Sequence, residues 1–266
     1  MKKILVGAIL LLMVLYGSVM AQSPFSGNLD RPIATWDAEE AESELNSGPN
    51  DDDEEVDPDA DDEEIGDPPT FMDEELEGSQ IILCLDASGS MSSSYNAGFP
   101  IYNSGGGLIS SPNRWQTVQS EAANAISAMT EEHEFDVVIY DSYVASCFGS
   151  LMEATGVTKQ QAISWVYAKN TTGCTNSYDA LQLCFSHYGN ELDLIMFMSD
   201  GHPNTGNGHS PCSWWNCDGA VVSMAAGGVA SQTKASFTFL VIQVGGSPMP
   251  FMQSLGALPK SIFVLK

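Results

Sequence analysis

Apolar residues in this chain come either as unbroken runs or at helical spacing, except over positions 22–79, which show neither pattern. Ile81-Ile82-Leu83-Cys84-Leu85 is too short for a helix and ends in small polar residues, so it predicts a strand buried on both faces. Positions 194–198, 237–244 and 262–264 repeat that signature. Positions 135–140, the turn Asp141-Ser142 and positions 143–148 predict a β-hairpin. Between the strands, Trp115, Val118, Ala122, Ile126 and Met129 keep one helical face, with Ser111 as the expected N-cap and Pro112 in the first turn. Thr158 with Gln161 predicts a capping box for a helix through Val166. Further helices are expected from Asn176, over 219–233 and near 249–255. Apolar strands alternating with helices predict an α/β fold, doubly wound, with a mostly parallel central sheet, one antiparallel edge strand and helices on both faces.

The chemistry begins where the first strand ends. Asp86, Ser88 and Ser90 are oxygen-bearing and spaced two apart, and Gly89 permits the tight turn that points them into one small volume. Such a cluster suits a hard divalent cation. This D-x-S-x-S run after an apolar strand resembles the metal-ion-dependent adhesion site of von Willebrand factor type A domains, the integrin I-like family. That family adds a threonine on a second loop and an aspartate after a later buried strand. Both are here in order: Gly173-Cys174-Thr175 before the helix expected at Asn176, and Asp200-Gly201 after the 194–198 strand.

The resemblance covers residues 80–266 and implies a von Willebrand factor A-like fold. It further implies that Ser88, Ser90 and Thr175 coordinate through their hydroxyls, with Asp86 and Asp200 acting largely through waters. Hydroxyls and few carboxylates favour Mg²⁺ or Mn²⁺ over Ca²⁺. An ion with little direct anionic ligation stays attractive to a partner's Asp or Glu. The expected activity is therefore cation-dependent binding or adhesion, not catalysis. The alternative is a metal-dependent hydrolase using the same site, but there is no G-x-S-x-G elbow and no histidine tied by sequence context to Ser88 or Ser90.

Charge then divides the chain. Residues 1–80 hold 22 of the 35 acidic residues and three basic ones, so most of the net charge of −26 belongs to the tail. Nothing basic clusters, which argues against nucleic acid or anionic lipid as partner. Lys2-Lys3, the apolar run to Tyr16 and Val19-Met20-Ala21 read as a signal peptide over 1–21, hence a secreted, cell-surface or periplasmic protein with no membrane span after cleavage. Residues 22–79 read as a disordered acidic linker. Its aspartates 57, 59 and 61 fail as a calcium loop, because Asp62 stands where glycine is needed and Pro68 where glutamate is. A tethered acid from 51–77 is able to occupy the ion in cis and mask it.

Six cysteines in an exported chain permit disulfides. Cys212 can pair with Cys217, and Cys174 with Cys184 or with that loop, while Cys84 inside a buried strand is expected to be free. His202, His209, Cys212 and Cys217 match no common zinc spacing. Trp214-Trp215 beside them are either recognition aromatics or a cover for the sheet's end. Asn170-Thr171-Thr172 is a glycosylation sequon if the source is eukaryotic. Residues 91–113 form a polar insertion expected to overhang the site.

Overall fold

Five parallel strands carry the fold, and their sequence explains their position. The computed structural model describes residues 68–204 and 214–266, with side chains from 217 onward in the second stretch. The expected signal segment, the linker up to residue 67, residues 205–213 and the side chains of Trp214 and Trp215 lie outside the described residues.

The strands are β1 (Thr70–Phe71), β2 (Glu74–Glu75), β3 (Gln80–Asp86), β4 (Ile101–Tyr102), β5 (Leu108–Ile109), β6 (Glu134–Tyr140), β7 (Val144–Ser146), β8 (Met152–Glu153), β9 (Leu194–Ser199), β10 (Thr238–Gln243) and β11 (Ser261–Leu265). The helices are α1 (Arg114–Ala128), α2 (Gly156–Tyr167), α3 (Ser177–His187), α4 (Trp214–Ser231) and α5 (Pro250–Gly256). The central sheet runs β11-β10-β9-β3-β6-β7, with β8 also on β6. Strands β11, β10, β9, β3 and β6 are parallel, whereas β7 and β8 pair with β6 antiparallel. The predicted doubly wound sheet with an antiparallel edge is therefore observed.

Alternation along β3 shows why an unbroken apolar run was needed. Ile81, Leu83 and Leu85 pack on one side with Trp115, Val118 and Ile126 of α1 and with Ala162 and Val166 of α2. Ile82 and Cys84 pack on the other side with Ala180 and Cys184 of α3, Val221 of α4 and Phe251 of α5. Both faces are covered, so a strand with a polar alternate would leave buried groups without partners.

Several boundaries differ from the sequence reading. Residues 70–79, expected in the linker, begin the domain: Phe71, Met72 and Leu76 are buried in the α1-side core, and β1 and β2 form a hairpin. Its turn residues Met72 and Asp73 are both left-handed (φ 50° and 62°), as a two-residue turn between twisted strands requires. Helix α1 is capped by Asn113, not Ser111. The Asn113 side chain accepts from the Gln116 N–H at 2.8 Å and the Gln116 side chain accepts from the Asn113 N–H at 2.9 Å, which completes a capping box. Helix α2 starts earlier than expected, with Thr155 accepting from the Thr158 N–H, while the Thr158 hydroxyl donates to the Glu153 carbonyl. Helix α4 begins at Trp214, before the expected 219. Within the insertion, β4 and β5 form a hairpin laid along α1: the Tyr102 N–H donates to Ser120 Oγ and the Tyr167 hydroxyl to the Tyr102 carbonyl.

Candidate metal centre

Strand β3 ends at Asp86 and its parallel neighbour β9 ends at Ser199, with Asp200 next. In open α/β sheets ligands gather beyond this carboxyl edge. Asp86 is fully buried. Its Oδ1 accepts from the Ser88 N–H at 2.8 Å and its Oδ2 from the Ser199 hydroxyl at 2.6 Å. Burial pushes the Asp86 carboxyl up to about 7; the Ser199 and Ser88 hydrogen bonds oppose the shift and the nearby Asp200 charge adds to it.

After Asp86 the chain turns through a short 3-10 segment, Gly89–Ser92. Ser88 Oγ lies 3.1 Å from Ser90 Oγ, and Ser90 Oγ donates to Asp200 Oδ1 at 2.7 Å. A hydroxyl has one proton, so with Ser90 donating to Asp200 it is Ser88 that donates to Ser90. Three oxygen groups from two strand ends thus form one hydrogen-bonded chain.

The threonine loop is tied to this turn twice. The Thr172 N–H donates to the Ala87 carbonyl at 3.0 Å, and the Gly89 N–H to the Gly173 carbonyl at 3.2 Å. Gly173 is left-handed (φ 63°), and a Cβ there would run into Ser142 Oγ, which itself accepts from the Cys174 N–H at 2.9 Å. Thr175 follows, 5% exposed. Its N–H donates to Asn204 Oδ1 at 2.7 Å, and the Asn204 N–H donates back to the Thr175 carbonyl at 3.1 Å. The loop after Asp200 and the threonine loop therefore clasp each other. Asp86 closes β3, and Ser88, Ser90, Thr175 and Asp200 sit on three loops joined to one another at that edge of the sheet.

Sequence reasoning missed three residues here. Ser199 was visible as the hydroxyl closing an apolar strand. Asn204 sits in a polar loop with nothing local to mark it. Arg114, the first residue of α1, forms an ion pair with Asp200 Oδ2 across 86 positions of sequence.

The five site residues expected from the sequence carry three hydroxyls and two carboxylates. Among the described residues no three His, Cys, Asp or Glu side chains gather as a metal-binding group. A cation at this edge would thus be held by oxygens with hydroxyls in the majority, a set that fits a small hard ion. Other chemistry-bearing residues are engaged elsewhere. His202 pairs with Asp218 at 2.9 Å, His187 Nε2 lies 2.6 Å from the Gly149 carbonyl, and His133 is bonded to Thr130. Cys84 is a free buried thiol, as expected. Cys174 and Cys184 are also free, so they do not pair with each other: Cys184 is buried against β3 while Cys174 is exposed on the loop. His209 and Cys212, and with them the zinc reading, lie outside the described residues.

A scan against protein-family models finds no match to this chain, and a search of curated proteins finds none. Among solved structures, the pilus adhesin SpaC from Lactobacillus rhamnosus GG shares the fold with a TM-score of 0.50 at 15% identity, over 71% of this chain and 29% of that one. A structure described as von Willebrand factor type A from Catenulispora acidiphila aligns with a TM-score of 0.48 at 14% identity, over 72% of this chain and 39% of the other. Proximal thread matrix protein 1 from the mussel byssus aligns at 0.46 and 16% identity, over 70% of this chain and 41% of the other. This chain spans less than half the length of each of these. Its mostly parallel sheet, antiparallel edge and helices on both faces are the mixed α/β architecture it shares with SpaC, consistent with the von Willebrand factor A-like fold expected from the sequence.

Proposed function

We propose that this chain is an exported, non-enzymatic binding or adhesion module that recognises an acidic group of a partner through a divalent cation held by Asp86, Ser88, Ser90, Thr175 and Asp200. The observation that carries the reading is the hydrogen-bonded chain Ser88–Ser90–Asp200 at the carboxyl edge, with the Thr175 loop tied to both of its supporting turns. Ser88, Ser90 and Thr175 offer hydroxyl ligands, and Asp86 and Asp200 supply charge from just behind them. Mg²⁺ or Mn²⁺, when bound, supplies a Lewis-acidic position for a partner's carboxylate. SpaC, which has this fold, is a pilus adhesin.

A hydrolase would need a base, and the described histidines bond to Thr130, Gly149 and Asp218 rather than to Ser88 or Ser90. Export rests on the 1–21 segment, and an extracellular setting also suits a Cys212–Cys217 disulfide. No helix among the described residues is long and apolar enough to cross a membrane. Masking by the tail narrows to residues before 68. Asp73, Glu74, Glu75 and Glu77 line a 360 Å³ cavity with Leu194 and Thr238, at the strand starts opposite the site. Deleting 37–67 is expected to strengthen capture of a carboxylate partner, and no change would end the masking idea.

Calorimetric titration of Mg²⁺ into the full chain and into Asp86→Ala tests the centre. Binding that Asp86→Ala abolishes is expected. Equal affinity in the two would remove this site from consideration.

A further inference from the structure

Among the described residues, Arg114 is the one cationic side chain shown touching the proposed ligands, and its placement is built. Its Nη1 donates to Asp200 Oδ2, while Ser90 takes the other oxygen of the same carboxylate. The Asp200 side chain is 1% exposed and the Arg114 side chain 20%. Arg114 is fixed from behind by its own N–H on the Ser93 carbonyl at 3.0 Å and by the Asn113 cap that starts its helix. The guanidinium lies against Gly245 in the turn after β10. A Cβ there would come within 2.9 Å of Nε and 3.2 Å of Nη2, and Gly245 is left-handed at φ 72°. Arg114 Nε is buried without a hydrogen-bond partner, so the guanidinium keeps donor capacity beyond the Asp200 pair.

With Asp86 and Asp200 both ionised, as a bound cation would hold them, two carboxylates and one guanidinium give the centre one formal negative charge instead of two. A divalent cation arriving there would leave a net positive charge, where the same centre without Arg114 would be neutral. We infer that Arg114 determines ligand specificity: it offsets Asp200, which lowers the affinity of the centre for its cation and makes the loaded centre select an anionic partner group. The inference rests on the proposed cation site and predicts opposite signs for two affinities. Loss of the arginine strengthens cation binding and weakens binding of the acid that follows. A guanidinium paired with one of the proposed ligands, at the effective dielectric of a partly buried site, would change each by about tenfold or more.

The test uses Mn²⁺ and acetate on the full chain. Mn²⁺ affinity is measured by calorimetry, and acetate binding to the Mn²⁺-loaded protein by the fall in solvent-proton relaxation as water leaves the ion. Arg114→Gln is expected to bind Mn²⁺ about tenfold tighter and to need about tenfold more acetate, whereas Arg114→Lys, which keeps the charge, stays within about threefold of wild type in both. Arg114→Met keeps the packing against Gly245 and should repeat the glutamine result, so one poorly folded variant does not spoil the test. A merely structural arginine would weaken Mn²⁺ binding on removal. Mn²⁺ affinity in the glutamine and methionine variants that is no tighter than wild type, or unchanged acetate binding, overturns the inference. If wild-type binding is instead indifferent to Asp86→Ala, the cation site itself falls, and this inference with it.

Discussion

Two carboxylates, Asp86 on β3 and Asp136 on β6, lie on adjacent parallel strands and are equally inaccessible to solvent, yet the protein treats them in opposite ways. Asp136 is saturated. It accepts from the Val137 N–H at 2.6 Å, the Phe148 N–H at 3.2 Å, the Gly149 N–H at 2.9 Å, the Ser146 hydroxyl at 2.7 Å and the Tyr188 hydroxyl at 2.9 Å. Apart from Val137 on β6 itself, those donors come from the antiparallel edge and from the end of α3, so Asp136 staples them to the central sheet. Burial pushes the Tyr188 hydroxyl well up, which keeps it protonated and donating. Asp86 has two donors, Ser88 and Ser199, and faces a second carboxylate across the edge. A buried carboxylate filled with donors is scaffold. One left beside another negative group holds electrostatic demand for a cation.

The contrast breaks if removing either aspartate has the same effect. Asp136→Ala should cost about 3–5 kcal/mol in denaturant unfolding, because Tyr188, Ser146 and Gly149 lose a charged acceptor in the interior. Asp86→Asn should leave the cation-free protein as stable as wild type or more stable by about 1 kcal/mol. The amide still accepts from Ser88 and donates to Ser199, whose hydroxyl can turn to the Gly201 carbonyl 3.3 Å away. The same variant should lose the rise in melting temperature that Mg²⁺ gives wild type. A comparable collapse in both variants would mean that Asp86 is scaffold as well.

A third carboxylate sharpens the comparison at smaller scale. Asp193, before β9 at the opposite edge, pairs with Lys234 at 2.9 Å and accepts from the Ser79 and Gln80 N–H groups at 3.1 Å each. Burial alone would raise its pKa, but those hydrogen bonds and the Lys234 charge hold it below the ordinary 3.8. A depressed folded value stabilises above the unfolded one and is lost as pH falls through the folded one. Asp193→Asn should therefore cost about 1 kcal/mol or less near neutrality after solvent screening. That difference from wild type should vanish as pH drops below 3.8 toward the folded value, as read from melting curves. A gap that persisted at lower pH would assign the cost to the Asn side chain rather than to charge.

What the sequence disclosed follows the same physics. The core strands were legible because burial on both faces demands unbroken apolar runs, and the ligand candidates were legible because they stand where those runs stop. Phe71, Met72 and Leu76 were hidden by the acids around them: a two-strand hairpin needs only a few apolar contacts, and composition averaged these away. The caps Asn113 and Thr155 were missed because Ser111 and Thr158 were as acceptable chemically, and only the path of the loop chooses between them. Arg114 and Asn204 act on Asp200 and Thr175 through tertiary proximity alone, and no local pattern encodes that.

The most direct measurement of the central claim is an anomalous difference map from crystals of the protein grown with Mn²⁺. The account predicts a peak within direct coordinating distance of the hydroxyl oxygens of Ser88, Ser90 and Thr175, with Arg114 still on Asp200. A peak elsewhere, or none at this edge when the metal is present at saturating concentration, would contradict it.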